Sequence, residues 1–376
     1  MRGNDVSTQD EKFMQSALKL AAKGIGSVEP NPAVGAVIVK AGQLVGKGYH
    51  KAFGGPHAEV NAIDDCRKLG VKPDGATMYI TLEPCSHQGK TGPCTDAIID
   101  ARLARVVVAT RDPSAHANGK GIERLQQAGI EVEVGLCEAE ARQLNAPFLK
   151  YASTGKCWVV LKWAQSLDGK MAYAEQAPER RWISNELSRK DAHKLRRRVG
   201  AIVVGINTIM RDDPMLTPRP AKGRKPIRVV LDNSLRIPLK SRLLRTPKAS
   251  PILIYTREAS AGVNPKHAER IAKRGAEVLA YGETNGASNL PFLLDELGRR
   301  GVQQVLVEGG VQVLTSFLKA GLADEVCVYV ASKILGAQGA VYMGEPMAAL
   351  VEEIGLRHVE IKVFDDDLRL TGRLVD

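Results

Sequence analysis

His57-Ala58-Glu59, followed by Pro84-Cys85-Ser86-His87-Gln88-Gly89-Lys90-Thr91-Gly92-Pro93-Cys94, is the stretch that decides how this chain is read. One imidazole and two thiolates, from His57, Cys85 and Cys94, form a three-ligand zinc set and leave a fourth tetrahedral position for water. That open position distinguishes a catalytic zinc from a closed structural one. Bound zinc lowers the pKa of its water to about 7, so hydroxide is available at neutral pH. Glu59 stands two residues after His57, where a carboxylate can shuttle protons without ligating. A fourth ligand from His87 or Cys66 would instead close the site into a zinc knuckle, and that reading leaves the Glu59 spacing without a purpose.

The flanking residues place this set on a strand-loop-helix corner. Met78-Tyr79-Ile80-Thr81-Leu82 reads as a strand entering Cys85, and His57 to Lys68 as a helix that begins at the metal ligand. Pro93 to Ile99 reads as a helix start with Cys94 in its first turn, where the helix dipole favours a thiolate. An H-x-E followed by P-C…C is the signature of zinc deaminases acting on nucleobases. The usual second half is P-C-x-x-C, whereas here the cysteines stand further apart. The inserted loop carries Ser86, His87, Lys90 and Thr91, donors suited to a phosphate or ribose. The expected substrate is therefore a phosphorylated, nucleotide-like molecule.

With 376 residues the chain is long enough for two domains, since one core rarely grows past about 250–300 residues. Apolar residues make up 44% and charged residues 25%, ordinary proportions for a globular protein. No apolar run approaches the roughly 20 residues of a membrane span, and Met1 to Gln15 lacks the apolar core of a signal peptide. Two of the six cysteines are assigned to metal. Cys66, Cys137, Cys157 and Cys327 are scattered and read as reduced thiols, which points to the cytoplasm. The formal net charge is +11 and calls for anionic partners. Aromatics are only 5% and basic residues are dispersed except at Arg196-Arg197-Arg198, so small anionic ligands fit better than nucleic acid.

Taken in order, Asp10 to Lys23 is an amphipathic helix, and Asn31 to Val39 is a loop entering a buried strand. Gly46 to His50 is the second strand of a hairpin. Arg105 to Thr110 and Ile130 to Val134 read as strands, with a helix from Gly121 to Ala128 between them. These elements make a three-layer α/β/α domain ending near Lys150, similar to the cytidine-deaminase-like superfamily over roughly residues 8–150. Three local matches narrow the resemblance: Asn31-Pro32-x-Val34-Gly35, the long Cys85–Cys94 loop with Gly-Lys-Thr, and Arg111-Asp112-Pro113. Together they resemble the bifunctional deaminase–reductase family of riboflavin biosynthesis. That resemblance implies that Asn31, His50 and Asp112 contact the deaminase substrate, with His87 and Lys90 near its phosphate. Ser114 departs from the Asp-Pro-Asn usual in the family.

Tyr151 to Lys156 is small and polar and reads as a linker, which sets domains at 1–153 and 154–376. A strand starts at Cys157 and runs into Ser166-Leu167-Asp168-Gly169. Asn185 to Arg198 reads as a helix with Leu187, Ala192, Leu195 and Val199 on its buried face. Apolar strands follow at Gly200–Gly205, Ile227–Leu231, Ile252–Tyr255, Val278–Tyr281 and Val305–Val307, and Asp324–Val330 and Arg357–Leu370 finish the sheet. Strands alternating with helices argue for a largely parallel sheet. Glu308-Gly309-Gly310 before Val311–Leu318 offers backbone N–H groups to a phosphate at a helix start. With Ser-Leu-Asp-Gly and Thr208-x-x-x-Asp212-Asp213-Pro214-x-Leu216-Thr217-x-Arg219, it resembles the reductase half of the same family over residues 157–370. That half has a dihydrofolate-reductase-like α/β fold and uses NADPH.

Carried over position by position, the resemblance implies NADP contacts from Ala164, Trp182, Thr208, Asp212 and the Gly310, Val311, Gln312, Val313, Leu314, Thr315, Ser316 loop. It implies reductase substrate contacts from Arg196, Leu216, Arg219 and Glu308. An arginine pair suits a ribose phosphate, and Lys162 and Glu308 are the ionisable groups placed to handle the proton that accompanies hydride transfer. Arg180 stands where the family has a serine. The expectation is a two-step enzyme, with one zinc ion per chain and NADPH, acting on small phosphorylated pyrimidines as a homo-oligomer (dimer or tetramer). The competing reading is a nucleic-acid or nucleoside deaminase with an accessory binding domain.

Overall fold

A computed structural model of the chain describes residues 3–87, 92–115, 117–175, 181–220, 224–282, 288–342, 344, 350 and 352–374, with backbone alone for 3–7. It divides into two compact units, Met1–Gly155 and Lys156–Asp376.

The first unit is built on a five-stranded sheet. Its strands are β1 (Gly35–Lys40), β2 (Gln43–Tyr49), β3 (Thr77–Ile80), β4 (Arg105–Val108) and β5 (Glu131–Val134), in the order β2-β1-β3-β4-β5. β1 pairs antiparallel with both β2 and β3, while β3, β4 and β5 run parallel. Side chains alternate across the sheet with period two. Ala36, Ile38, Met78, Ile80, Val106 and Val108 pack on one face with Ala58, Ala62, Ile98 and Leu125 of three helices. Val37, Val39, Tyr79 and Val107 pack on the other with Met14, Ala17 and Leu18 of the first helix, Gly3–Ala21, and with Ala141. Both faces are apolar and both are covered, which gives three layers.

One helix approaches the sheet unusually closely. Ala58–Lys68 lies on β2, with His57 at its N-cap in extended conformation (φ −74°, ψ 170°). A Cβ on Gly46 would stand 2.3 Å from Cys66 Sγ and 2.6 Å from the Ala62 carbonyl oxygen, and one on Gly48 2.4 Å from the Ala58 oxygen. Only glycine fits there. Gly46→Ala is expected to destabilise the first unit by about 1–3 kcal/mol, the cost of overpacking, seen as a lower urea midpoint. An unchanged midpoint would show that the helix has room to move away.

Tyr151 to Thr154 do not form the expected linker. They complete the helix Ala146–Thr154, anchored by buried Ala146 and Leu149 and ended by Gly155 at φ 70°. A polar composition therefore hid a helix whose inner face rests on two apolar residues.

The second unit carries strands β6 (Trp158–Ser166), β7 (Lys170–Tyr173), β8 (Ala201–Gly205), β9 (Ile227–Leu231), β10 (Ile252–Arg257) and β11 (Glu277–Tyr281). The rest are β12 (Gln304–Val307), β13 (Glu325–Ala331), β14 (Gly339–Tyr342), β15 (Leu356–Phe364) and β16 (Asp367–Leu374). Nine of them form one sheet in the order β11-β10-β9-β8-β12-β6-β13-β16-β15, while β14 and β7 pair separately. The sheet is parallel from β11 to β13, and β16 and β15 are antiparallel additions.

Two expectations are corrected here. Arg357–Leu370 is not one strand but a hairpin, turning at Asp365 (φ 54°), a conformation aspartate tolerates better than most residues. The helix Glu186–Arg198 does not bury Leu187, which is 40% exposed. Its inward face is polar instead. Ser188 Oγ donates to the Asp367 carboxylate at 2.9 Å, and the Asp191 carboxylate accepts from Tyr329 OH at 2.8 Å and from Arg369 at 2.6 Å. Those bonds offset burial of the charge.

Candidate active sites

In the first unit His57 Nδ1 lies 3.2 Å from Cys94 Sγ and 3.6 Å from Cys85 Sγ. Zinc bond lengths imply tetrahedral N-to-S edges of about 3.6 Å, so this donor set fits zinc. Among the described residues, His57, Cys85 and Cys94 are the only group of metal-ligating side chains gathered within 4.8 Å. Cys66 is held beneath Gly46 instead, and does not close the site.

The two thiols are hydrogen-bonded to one another and differ sharply. Cys94 opens the helix Cys94–Asp100, but its N–H points at Cys85 Sγ at 3.4 Å. Cys85 is held down at about 4, first by the hydrogen bond from Cys94, then by His57, against burial. Cys94 is pushed far up by its bond to Cys85 and by burial. Glu59 is buried, with Oε2 lacking a protein partner. Burial first, then the neighbouring Cys85, pushes its carboxyl up to about 7. Glu59 thus places a buried carboxylate oxygen without a protein partner near the three metal-type donors, and is not itself among them.

His50 completes the wall. Its Nδ1 donates to the Pro56 carbonyl at 3.1 Å, which leaves Nε2 to accept from Asn31 Nδ2 at 3.2 Å. The arrangement requires a neutral ring, and burial holds its pKa down accordingly. The ring stands edge-on to His57 at 5.2 Å. His50 thus stands beside His57, with Asn31 bonded behind it. Asp112 is held in the following loop, its carboxylate accepting from Ser114 N at 2.9 Å. His87 is exposed on the Cys85 loop, and Lys90 lies outside the described residues.

In the second unit Glu308 and Gly310 follow the carboxyl end of β12, and Thr208 and Asp212 that of neighbouring β8, the end at which open α/β sheets place their ligands. Arg196 and Glu308 meet in a fork: Nε contacts both carboxylate oxygens at 3.0 Å and Nη2 contacts Oε2 at 2.6 Å. Arg196 Nη1 donates to the Thr217 carbonyl at 3.3 Å. Arg196 is thus paired with Glu308 and partly buried, whereas Arg219 is exposed. Lys162 lies mid-strand in β6 with Nζ 5.4 Å from the centre of the Tyr329 ring. Burial lowers its pKa, Glu308 opposes this, and Arg196 adds to it. Burial would raise Glu308, but Arg196 and then Lys162 outweigh it and hold the carboxyl low.

Residues expected at the cofactor divide by placement. Thr208 and Asp212 stand on the helix Ile206–Asp212 after β8, and Gly310 caps the helix Val311–Lys319 after neighbouring β12. Gly310 to Ser316 is thus mostly helix and not loop. Val311, Leu314 and Thr315 turn into the core, while Gly310, Gln312 and Ser316 are exposed. Ala164 is on β6. Leu216 is buried at φ 53°. Trp182 is half exposed between the guanidinium groups of Arg181 and Arg189, at 5.2 and 5.4 Å. Arg180 lies outside the described residues.

Sequence reading missed His193. It precedes Arg196 by one helical turn, a spacing that could have found it. Its Nδ1 is buried without a protein partner. Burial, then Arg196 and Arg219, pushes its pKa down to about 4. A depressed folded pKa means that the unfolded chain binds the proton first, so stability falls as pH drops from the ordinary histidine value towards 4. Between pH 7 and 5 the thermal midpoint of the second unit should fall more in wild type than in His193→Gln. Equal slopes would remove His193 from the acid response.

Residues 7–110 match the cytidine and deoxycytidylate deaminase zinc-binding region, and residues 157–370 match the RibD C-terminal domain. The riboflavin biosynthesis protein RibD of Aquifex aeolicus is 44% identical over 360 residues, 96% of this chain and 97% of that protein. Its Escherichia coli counterpart is 42% identical over 342 residues, 88% and 89% respectively. Among solved structures, Acinetobacter baumannii RibD superposes with a TM-score of 0.82 at 36% identity, covering 98% of this chain and all of that one. The Thermotoga maritima diaminohydroxyphosphoribosylaminopyrimidine deaminase/5-amino-6-(5-phosphoribosylamino)uracil reductase gives 0.78 at 35%, covering 98% and 99%. The chain belongs to the RibD family of bifunctional riboflavin-biosynthesis enzymes, a cytidine-deaminase-like zinc-binding domain joined to a dihydrofolate-reductase-like reductase domain.

Proposed function

We propose that residues 1–153 deaminate 2,5-diamino-6-ribosylamino-4(3H)-pyrimidinone 5′-phosphate and residues 154–376 reduce the product's ribosyl group to ribityl with NADPH. The observation that carries this reading is Glu59, buried and with an unpartnered oxygen against His57, Cys85 and Cys94. These three would hold one zinc ion, which supplies an activated water at neutral pH. Glu59 takes the proton from the attacking water and passes it to the departing amine, so that the amidine C–NH2 becomes C=O and ammonia leaves. Asn31 and His50 orient the pyrimidine, Asp112 borders it, and His87 and Lys90 face the phosphate.

In the second unit bound NADPH would supply hydride for the anomeric carbon. Opening of the sugar ring needs a proton on the ring oxygen, and Lys162 delivers it, with Glu308 opposing the effect of burial on its ammonium. Arg196 orients Glu308, while Leu216 and Arg219 complete the substrate pocket. Ala164, Trp182, Thr208, Asp212 and the start of the helix at Gly310, Val311 and Gln312 hold the cofactor, while Val313, Leu314, Thr315 and Ser316, expected as contacts, continue that helix, and the Leu314 N–H is taken by the Gly310 carbonyl. Reduced, buried Cys66, Cys157 and Cys327 fit a cytoplasmic setting. No helix among the described residues is long and apolar enough to cross a membrane. Val359, Ile361 and Val363 share one exposed apolar face of edge strand β15, which supports a homo-oligomer.

The test supplies the zinc-loaded protein with the phosphorylated diaminopyrimidinone and NADPH. One ammonia and one oxidised NADPH per substrate are expected, with slower turnover on NADH. Ammonia from RNA or a free nucleoside, and none from this substrate, would reverse the assignment.

A further inference from the structure

Glu83, two residues before Cys85, is a buried carboxylate, 4% exposed. Its Oε2 accepts from the backbone N–H of Asp112 at 3.3 Å and of Gly119 at 3.0 Å, and its Oε1 from Gly121 N–H at 3.0 Å. Its own N–H donates to the Thr110 carbonyl at 3.0 Å. Bonds from three amides offset much of the cost of burying the charge. Gly119 and Gly121 belong to the start of the helix Lys120–Gln127, where an anion is favourable. Capping that helix would need only those two amides. The third bond goes to Asp112, outside the helix. The same segment touches the metal loop directly, since a Cβ on Gly121 would stand 2.0 Å from the Pro84 carbonyl oxygen. Between the anchors, the Asp112 carbonyl accepts from Asn118 N at 3.0 Å, a bond that joins the two ends of the segment.

We infer that Glu83 is a positioning residue of the deaminase: it fastens the Asp112–Gly121 segment to the Pro84–Cys85 loop and so fixes Asp112 relative to the metal ligands. The inference rests on the proposed contact between Asp112 and the deaminase substrate. Glu83 touches neither substrate nor metal. Its effect is felt in substrate binding more than in the chemical step.

In Glu83→Gln the shape is kept, but one carboxylate oxygen becomes an N–H2 group that faces backbone donors. The experiment follows ammonia release by the zinc-loaded full chain over a range of substrate concentrations. KM should rise about tenfold or more while kcat falls less than about threefold, as expected for a lost charge-assisted contact. Zinc content and NADPH oxidation on the deaminated intermediate should stay at wild-type values. A purely structural role would lower the zinc-loaded fraction, and with it kcat, at unchanged KM; that result overturns the inference. If Glu83→Gln does not accumulate as folded protein, Gly121→Ala pushes the same segment off the Pro84 oxygen and should reproduce the KM rise. An unchanged KM there also overturns it. A wild-type chain that releases no ammonia from this substrate defeats the functional reading itself, whereas an active wild type with unmoved KM in the variant defeats this inference alone.

Discussion

Glu59→Gln lowers the rate of ammonia release by about 10²–10⁴-fold, the span that a positioned acid–base group supplies. Glutamine matches the volume of the buried carboxyl, so packing around the helix Ala58–Lys68 is kept and the loss reports proton transfer. The carboxyl is pushed up to about 7 by burial and by Cys85, which suits a group that must both accept and return a proton near neutrality. Zinc content should be unchanged, because His57, Cys85 and Cys94 form the donor set without Glu59. NADPH oxidation on the deaminated intermediate should also be unchanged, because it belongs to the other unit. Single-turnover ammonia release checks the expectation. A rate within tenfold of wild type would mean that proton transfer runs through another group.

Arg196→Met removes the main cation from a carboxylate whose side chain is 6% exposed. Breaking a buried pair on one side costs about 3–5 kcal/mol, because the remaining charge is left uncompensated. Burial then acts on Glu308 with only Lys162 and His193 to oppose it. In wild type the Glu308 pKa is held low, so its contribution to stability is present above the ordinary carboxylate value and is lost as pH falls through the folded one. In Arg196→Met the folded pKa rises, and acid unfolding of the second unit moves to higher pH. NADPH oxidation should fall steeply while ammonia release persists. Arg196→Lys restores the charge without the fork and should recover only part of the activity. Loss of both activities together in Arg196→Met would contradict independent units.

The parts of this molecule legible in its sequence are those with short-range causes. Alternation in β1, β3 and β4 and the period of the first helix follow from which side chains must leave water, and each strand of the first sheet was placed. The gathering of His57, Cys85 and Cys94 is legible because few chemistries other than metal binding need those types together. Long-range polar pairing was not legible. Asp191 turns inward because Tyr329 and Arg369 await it from distant strands, so apolar Leu187 is left outside. Arg228 lies in a strand read as apolar, yet its guanidinium is fully buried and donates to the carbonyls of Met215, Thr246 and Ser250. The pairing of Arg196 with Glu308 is likewise hidden, because the two stand 112 residues apart in the chain. The turn at Asp365 was missed because Asp365-Asp366-Asp367 carries no glycine or proline to mark it.

The central claim is that two separate sites on one chain act in series, and mixing the two variants tests it most directly. Each would be supplied alone, and then both together, with the phosphorylated diaminopyrimidinone and NADPH. Glu59→Gln alone makes no intermediate, and Arg196→Met alone accumulates it with ammonia released. The mixture should oxidise NADPH, since the intermediate made by one variant reaches the reductase site of the other. NADPH oxidation by Glu59→Gln alone from the diamino substrate, or an inert mixture of variants that each keep their single activity, would contradict the account.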